Sequence, residues 1–285
     1  MRFNLRNLNA GIFTALLVAF CLITVSVSAQ NKAEAKTKYR EFCSDNNWSS
    51  DDHVSFKEVR EMTLPATGSL NVDGGQNGGV RVIGENRSDI HVRACIQTWA
   101  TSDEAAKALA ANIKIETAGT LKAESSSGDK DWSVSYEIAA PRATSLNLKA
   151  HNGGISISGV EGNLDFQTTN GGVALRDVAG EVKGRTMNGG VTVALAGSSW
   201  KGSGLDVETT NGGVSLVMAN NYSAHVETGT VNGGFNSDFS ALTVDRSERW
   251  KPARVSADLN GGGPTIRVIT TNGGIQIRSA DKEKE

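Results

Sequence analysis

The sequence predicts a mainly all-β chain, in which a stacked β-repeat, or β-solenoid, with two strands per rung follows a β segment carrying one helix. Three observations predict it. Asn-Gly-Gly followed by an apolar residue recurs at Asn77, Asn152, Asn170, Asn188, Asn211, Asn232 and Asn272. Between the triplets, apolar and polar residues alternate, as in Gly154-Ile155-Ser156-Ile157-Ser158, which is the period of a strand with one buried face. The motif returns once per two strands, with steps of 18 and 18 from Asn152 through Asn170 to Asn188, as one edge of a coil requires.

Each element has a local reason. Within a unit, Ile155 to Ser158 is one strand, Gly159 to Gly162 a turn, and Asn163 to Thr168 the second strand. The next unit repeats this, so Val173, Leu175 and Val182 should stack on Ile155, Ile157 and Leu164. Asn and Gly both tolerate the left-handed region, so the triplet is expected to turn with positive φ, and stacked Asn amides could form a hydrogen-bonded ladder. Later steps are 23 and 21 residues; the last, from Asn232 to Asn272, is 40, as if one rung had lost its motif. Asn260, in an Asn-Gly-Gly-Gly variant, should belong to another edge. Asn-Gly is also a hairpin signal, so an antiparallel meander is the rival topology.

Ahead of the repeat, strand signals start at Thr63 and continue through Ser69–Val72, Gly79–Gly84 and Asp89–Ile96. Thr101-Ser102-Asp103-Glu104 then offers an N-cap followed by acids, and Ala105, Leu109 and Ile113 make an apolar stripe, predicting a helix from about Asp103 to Asn112. The expected organisation is a signal peptide over 1–29, a Cys-containing segment over 30–62, the helix-bearing β segment over 63–140, the Asn-Gly-Gly repeat over 141–279 and a charged tail over 280–285.

Arg2 and Arg6, the apolar run from Gly11 to Ser28, and the small residues Ser28 and Ala29 read as a secretory signal peptide cut after Ala29. An uncleaved anchor is the alternative, since the run is just long enough to span a bilayer. Phe20 before Cys21 argues against a lipoprotein. The chain is therefore expected to be exported, to the periplasm, cell surface or medium, with no membrane span after cleavage. Cys21 leaves with the leader, so Cys43 and Cys95 remain, and in an oxidising compartment a disulfide between them is the default. The whole chain carries 29 Lys and Arg against 31 Asp and Glu, without the basic excess nucleic-acid binding demands.

The stretch HNGGISISGVEGNLDFQTTNGGVALRDVAGEVKGRTMNGGVTVAL, with GSGLDVETTNGGVSL after it, resembles the bacterial putative-adhesin family, a β-repeat domain of unknown function. The resemblance extends over roughly Gly79 to Ile277. It implies a secreted or envelope-associated β-repeat protein, and it brings no ligand, cofactor or catalytic residue with it.

The residues themselves offer little chemistry. The nine-residue Gly-Gly-x-Gly-x-Asp pattern of calcium β-rolls is missing, since Val or Ile follows the glycine pair. Glu161, Asp165, Asp177 and Glu181 are candidates for glycan cleavage on a β-helix scaffold, although turn and outward strand positions suit solvated charges. His53, His91, His151 and His225 share no motif. Trp200 and Trp250, in irregular stretches, are the candidate exposed contacts, while Trp99 and Trp132 are expected against the helix. The resulting expectation is a non-enzymatic envelope or secreted protein, without cofactor or metal, that binds a surface, a glycan or an envelope protein. A glycan-active enzyme and a structural or stress-regulatory envelope protein are the alternatives.

Overall fold

A computed structural model of the chain describes residues 42–43, 53–244 and 252–281. The signal peptide, Trp48, Trp250 and residues 282–285 lie outside them. The chain divides into two units, Met1–Asn46 and Asn47–Glu285. In the first, the described residues are Phe42 and Cys43, which stand in a turn. Cys43 and Cys95 are both disulfide-bonded.

The second unit holds the fold. Its strands are β1 (Val54–Pro65), β2 (Ser69–Asp73), β3 (Val80–Glu85), β4 (Asp89–Ala100), β5 (Ile113–Glu116), β6 (Thr120–Ser125), β7 (Trp132–Pro141), β8 (Ser145–Lys149), β9 (Ile155–Ser158) and β10 (Glu161–Thr168). They continue with β11 (Val173–Arg176), β12 (Ala179–Asn188), β13 (Val191–Ala194), β14 (Gly204–Asn211), β15 (Val214–Met218), β16 (Ala224–Asn232), β17 (Phe235–Ser237), β18 (Ala253–Leu259), β19 (Thr265–Asn272) and β20 (Ile275–Ser279). One helix, α1 (Asp103–Ala111), lies between β4 and β5.

The strands form two ten-stranded sheets. Sheet A runs β1-β4-β7-β3-β9-β11-β13-β15-β20-β17, and sheet B runs β18-β16-β19-β14-β12-β10-β8-β2-β6-β5. Each rung gives one strand to each sheet, and successive rungs pair in parallel, as β10 does with β12 and β11 with β13. Parallel pairing at every rung makes the body a solenoid and rules out the meander.

Stacking order is not chain order. At one end the rung β6/β7 is outermost, and the earlier rung β2/β3 sits between it and β8/β9. At the other end the final rung β19/β20 slides between β14/β15 and β16/β17. This corrects the expectation of a motif-less rung in the 40-residue step. That step holds β18, which runs antiparallel to β16 along the edge of sheet B, after which the chain returns inward. Asn260 lies in the turn after β18 and donates to the carbonyls of Asn220 and Tyr222.

The core is a thin layer between the sheets, built from columns of in-register residues. Leu164, Val182, Leu205, Ile266 and Val226 form one column of sheet B, and Ile155, Val173, Val191, Val214 and Ile275 face them from sheet A. All ten are buried. Each such side chain contributes about 1.5–3 kcal/mol by leaving water, which no single rung could gain alone.

The helix-bearing stretch is part of the same body, because β2/β3 stacks directly on the repeat. Ser102 caps α1 by accepting from the Ala105 N–H at 3.2 Å. The buried stripe is Ala106, Leu109, Ala110 and Ile113, with Ala105 exposed, one position away from the expected face. Strand structure begins at Val54 and not at Thr63, because β1 pairs antiparallel with β4 along its whole length. Outside the core layer, Glu137 is buried between Arg93 (2.8 Å) and Arg81 (3.2 Å), which supply the positive charge its burial demands.

Candidate interaction face

The Asn-Gly-Gly turns form one edge of the prism. The Nδ2 of each Asn donates to the Oδ1 of its neighbour at 2.7–2.9 Å, in the stacking order 232, 272, 211, 188, 170, 152, 77. The structure thus brings all seven sequence-selected asparagines into one continuous amide ladder. All its bonds point the same way, so adjacent dipoles reinforce one another.

The glycines do a different job from the one expected of them. Neither the seven ladder asparagines nor the glycines that follow them have positive φ. Left-handed residues occur instead at the opposite turns, at Gly159 and Asp177 among others. What the first glycine of each triplet provides is the absence of a side chain: a Cβ at Gly171 would stand 2.2 Å from the Gly153 carbonyl oxygen, and one at Gly189 2.2 Å from that of Gly171. Rungs about 4.8 Å apart leave no room for it.

A third feature was missed in the sequence. Two residues before five of the seven asparagines stands a buried threonine that donates to the same glycine carbonyl of the adjacent rung: Thr168 to Gly153, Thr186 to Gly171 and Thr209 to Gly189, each at 2.7 Å. Thr270 and Thr230 do likewise at 2.8 Å. The motif is therefore Thr-x-Asn-Gly-Gly, and its five occurrences were the available signal.

Four of the five x positions of this motif, Met187, Thr210, Val231 and Thr271, are exposed beside the ladder. Among them Met187 and Val231 are 54% and 46% exposed, unusual for large apolar residues on a repeat surface. Next to this margin lies the outer face of sheet B, where four open depressions run in series along the rungs. The largest, about 490 Å³, is lined by Val231, Ile269, Arg254, Arg267, Glu227 and threonines. The register places Asp165, Lys183, Asp206, Arg267 and Glu227 in one transverse row of alternating sign. Arg267 pairs with Asp206, and Lys183 with Glu181 at 2.5 Å, which raises the Lys183 pKa by hydrogen bonding.

One cluster on this face has the layout of a nucleophile, base and orienting acid. His225 Nδ1 lies 2.7 Å from Asp258 and its Nε2 lies 3.1 Å from Ser256 Oγ. The hydrogen bond to Asp258, and then the Asp258 and Glu227 charges, raise the His225 pKa. Sheet N–H groups, however, lie in the strand plane, away from the face on which an oxyanion would form, so the cluster lacks the donors that such a role needs.

Of the sequence-selected carboxylates, Asp165 and Glu181 line one depression on adjacent strands, where Lys183 takes up Glu181 in an ion pair. Glu161 and Asp165 are four residues apart on one strand, a separation of roughly 13 Å at the normal rise, beyond the range of a glycosidase pair. Asp177 faces Arg142 at 3.8 Å. Trp200 is not an exposed contact: it is 6% exposed, and its ring N–H donates to the Gly180 carbonyl at 3.0 Å, because the longer step folds its extra residues back onto the stack. Trp132 packs against the core, with its indole N–H on the Asp129 carbonyl. Among the described residues no group of acids, His and Cys could hold a metal ion, and no helix is long and apolar enough to cross a membrane.

No curated protein matches the chain. A “putative cell adhesion protein” from Clostridium sporogenes aligns over 79% of this chain and 100% of its own, at 13% identity and a TM-score of 0.42. A “putative adhesin” from Bacteroides fragilis aligns over 79% and 97%, at 14% identity and a TM-score of 0.40. The Toastrack DUF4097 family model matches residues 25–278, and this stacked, Asn-laddered chain belongs to that family.

Proposed function

We propose that the protein is a non-enzymatic binding module of the cell envelope or its exterior, and that the outer face of sheet B, with the Met187–Val231 margin, is the face that meets a surface, a glycan or an envelope protein. The single observation that carries this reading is the continuous series of four depressions on that one face. A rigid sheet costs little to order on binding, and mixed charge beside exposed apolar groups suits an extended polymer or a flat partner better than a small molecule. The leader-like sequence at residues 1–29 supports export.

The test is retention on glycan arrays and on isolated envelope fractions, comparing the parent chain with Met187→Glu/Val231→Glu. Binding should fall at least tenfold in the double variant with its circular dichroism unchanged. Equal retention of both proteins would remove this face from consideration, and turnover on a polysaccharide panel would overturn the non-enzymatic reading.

A further inference from the structure

The largest depression on the outer face of sheet B, about 490 Å³, has a glycine in its floor. The alternation that turns Val226 and Thr228 of β16 inward turns Gly229 outward, in register with Ile269 of β19 on one side and Arg254 of β18 on the other. The stem of Arg254 lies close against it: a Cβ at position 229 would stand 3.2 Å from the Arg254 Cγ and 2.6 Å from the Ala253 carbonyl oxygen. The missing side chain thus leaves a shallow apolar floor of Gly229 and half-buried Ile269, with the exposed Val231 beside it. The charges around this floor differ in their engagement. Arg267 pairs with Asp206 and lies 3.9 Å from Glu208, and Glu227 lies 3.5 Å from the His225 ring. Arg254 is exposed and has no hydrogen-bond or ion-pair partner among the described residues.

We propose that this depression takes a carboxylate-bearing sugar unit of an acidic polysaccharide, with Arg254 holding the carboxylate; this rests on the outer face of sheet B being the binding face. A guanidinium offers a planar donor fork that matches a carboxylate in two parallel hydrogen bonds. The depression has one uncommitted positive charge, which suits a monoanion. A doubly charged phosphate monoester would meet Glu227 with no second free cation, since Arg267 is already paired. The apolar floor suits the C–H face of a pyranose ring, and the exposed Thr271 at its margin offers a hydroxyl to the ring's own hydroxyl groups. A polymer suits the site better than a single sugar, because Ile269 and Thr271 also line the neighbouring depression, which leads on past Met187.

Equilibrium binding of a labelled oligogalacturonate and of its methyl ester, to the parent chain, Arg254→Gln and Arg176→Gln, tests this. The ester keeps the sugar rings and removes the carboxylate charge. Arg176 points outward from sheet A, so Arg176→Gln removes the same charge from the opposite face. The parent should bind the acid at least tenfold more tightly than the ester. Arg254→Gln should lose at least tenfold on the acid with its melting curve unchanged, and Arg176→Gln should bind as the parent does. A parent that does not bind the acid, or binds acid and ester equally, overturns the proposal. So do equal losses in the two variants, which would mean attraction to net charge alone. Tighter, Arg254-dependent binding to phosphatidylglycerol vesicles than to the oligomer would give the site to a lipid phosphate and overturn it too. If acid and ester bind equally and both are lost in Met187→Glu/Val231→Glu, the binding face stands while the acidic sugar falls, so the two proposals fail separately.

Discussion

Gly184 lies against the ring of Phe166 on the neighbouring rung, so that a Cβ at position 184 would stand 2.0 Å from the ring's Cε2. The two residues are in register in β12 and β10. A phenyl ring is wider than a rung, and in this column it spreads into the space a side chain at 184 would fill. Gly184→Ala is therefore expected to cost about 1–3 kcal/mol by overpacking. Phe166→Leu frees that space, so the double variant should lose less than the sum of the singles. Urea unfolding of the four proteins measures this. Additive losses would mean that Gly184 is not making room for Phe166.

Pairs of this kind mark the boundary of what the sequence revealed. The rung, its two strands and its parallel stacking were legible because alternation and the Asn-Gly-Gly period are local signals. The insertion of β19/β20 beneath β16/β17 was not, since the chain positions of Asn232 and Asn272 say nothing about which lies outside. The burial of Trp200 is not legible either, since a 23-residue step reads the same whether its extra residues loop outward or, as here, fold back so that the indole N–H reaches the Gly180 carbonyl. The glycines were assigned a dihedral role, and only the carbonyl contacts between rungs reveal the steric one. His225, Ser256 and Asp258 share no sequence motif and meet only through the antiparallel register of β16 and β18.

The two glycines of one triplet should behave very differently. A Cβ at Gly171 meets the Gly153 carbonyl at 2.2 Å, and backbone cannot rotate away as a side chain can; at Gly172 the nearest atom is 3.4 Å away. Gly171→Ala should destabilise by on the order of 3 kcal/mol or more, and Gly172→Ala by roughly 1 kcal/mol or less. Thermal melts of the pair provide the check, and equal costs would return the triplet to a purely conformational explanation.

The ladder makes a positional prediction. Asn170 both donates to Asn152 and accepts from Asn188, whereas Asn77, at the end, only accepts from Asn152. At about 0.5–1.5 kcal/mol per hydrogen bond, Asn170→Ala should cost roughly twice as much as Asn77→Ala. Denaturant midpoints decide it. An equal loss at both positions would show that the amides are solvated individually and that the ladder adds nothing cooperative.

The His225 cluster gives the fold a pH dependence whose sign can be worked out. Hydrogen bonding to Asp258 is the largest effect on the His225 pKa; together with the Asp258 and Glu227 charges it outweighs the opposing desolvation and raises the pKa above its ordinary 6.5. A raised folded-state pKa means that the cluster's contribution to stability is fully present below the unfolded-state value and disappears as pH climbs through the folded one. An NMR titration of the His225 ring should therefore have its midpoint above 6.5, and Asp258→Asn should move it down. The stability difference between the parent and Asp258→Asn should narrow as pH rises through that midpoint. An unchanged midpoint in Asp258→Asn would mean that the 2.7 Å contact does not hold the imidazolium.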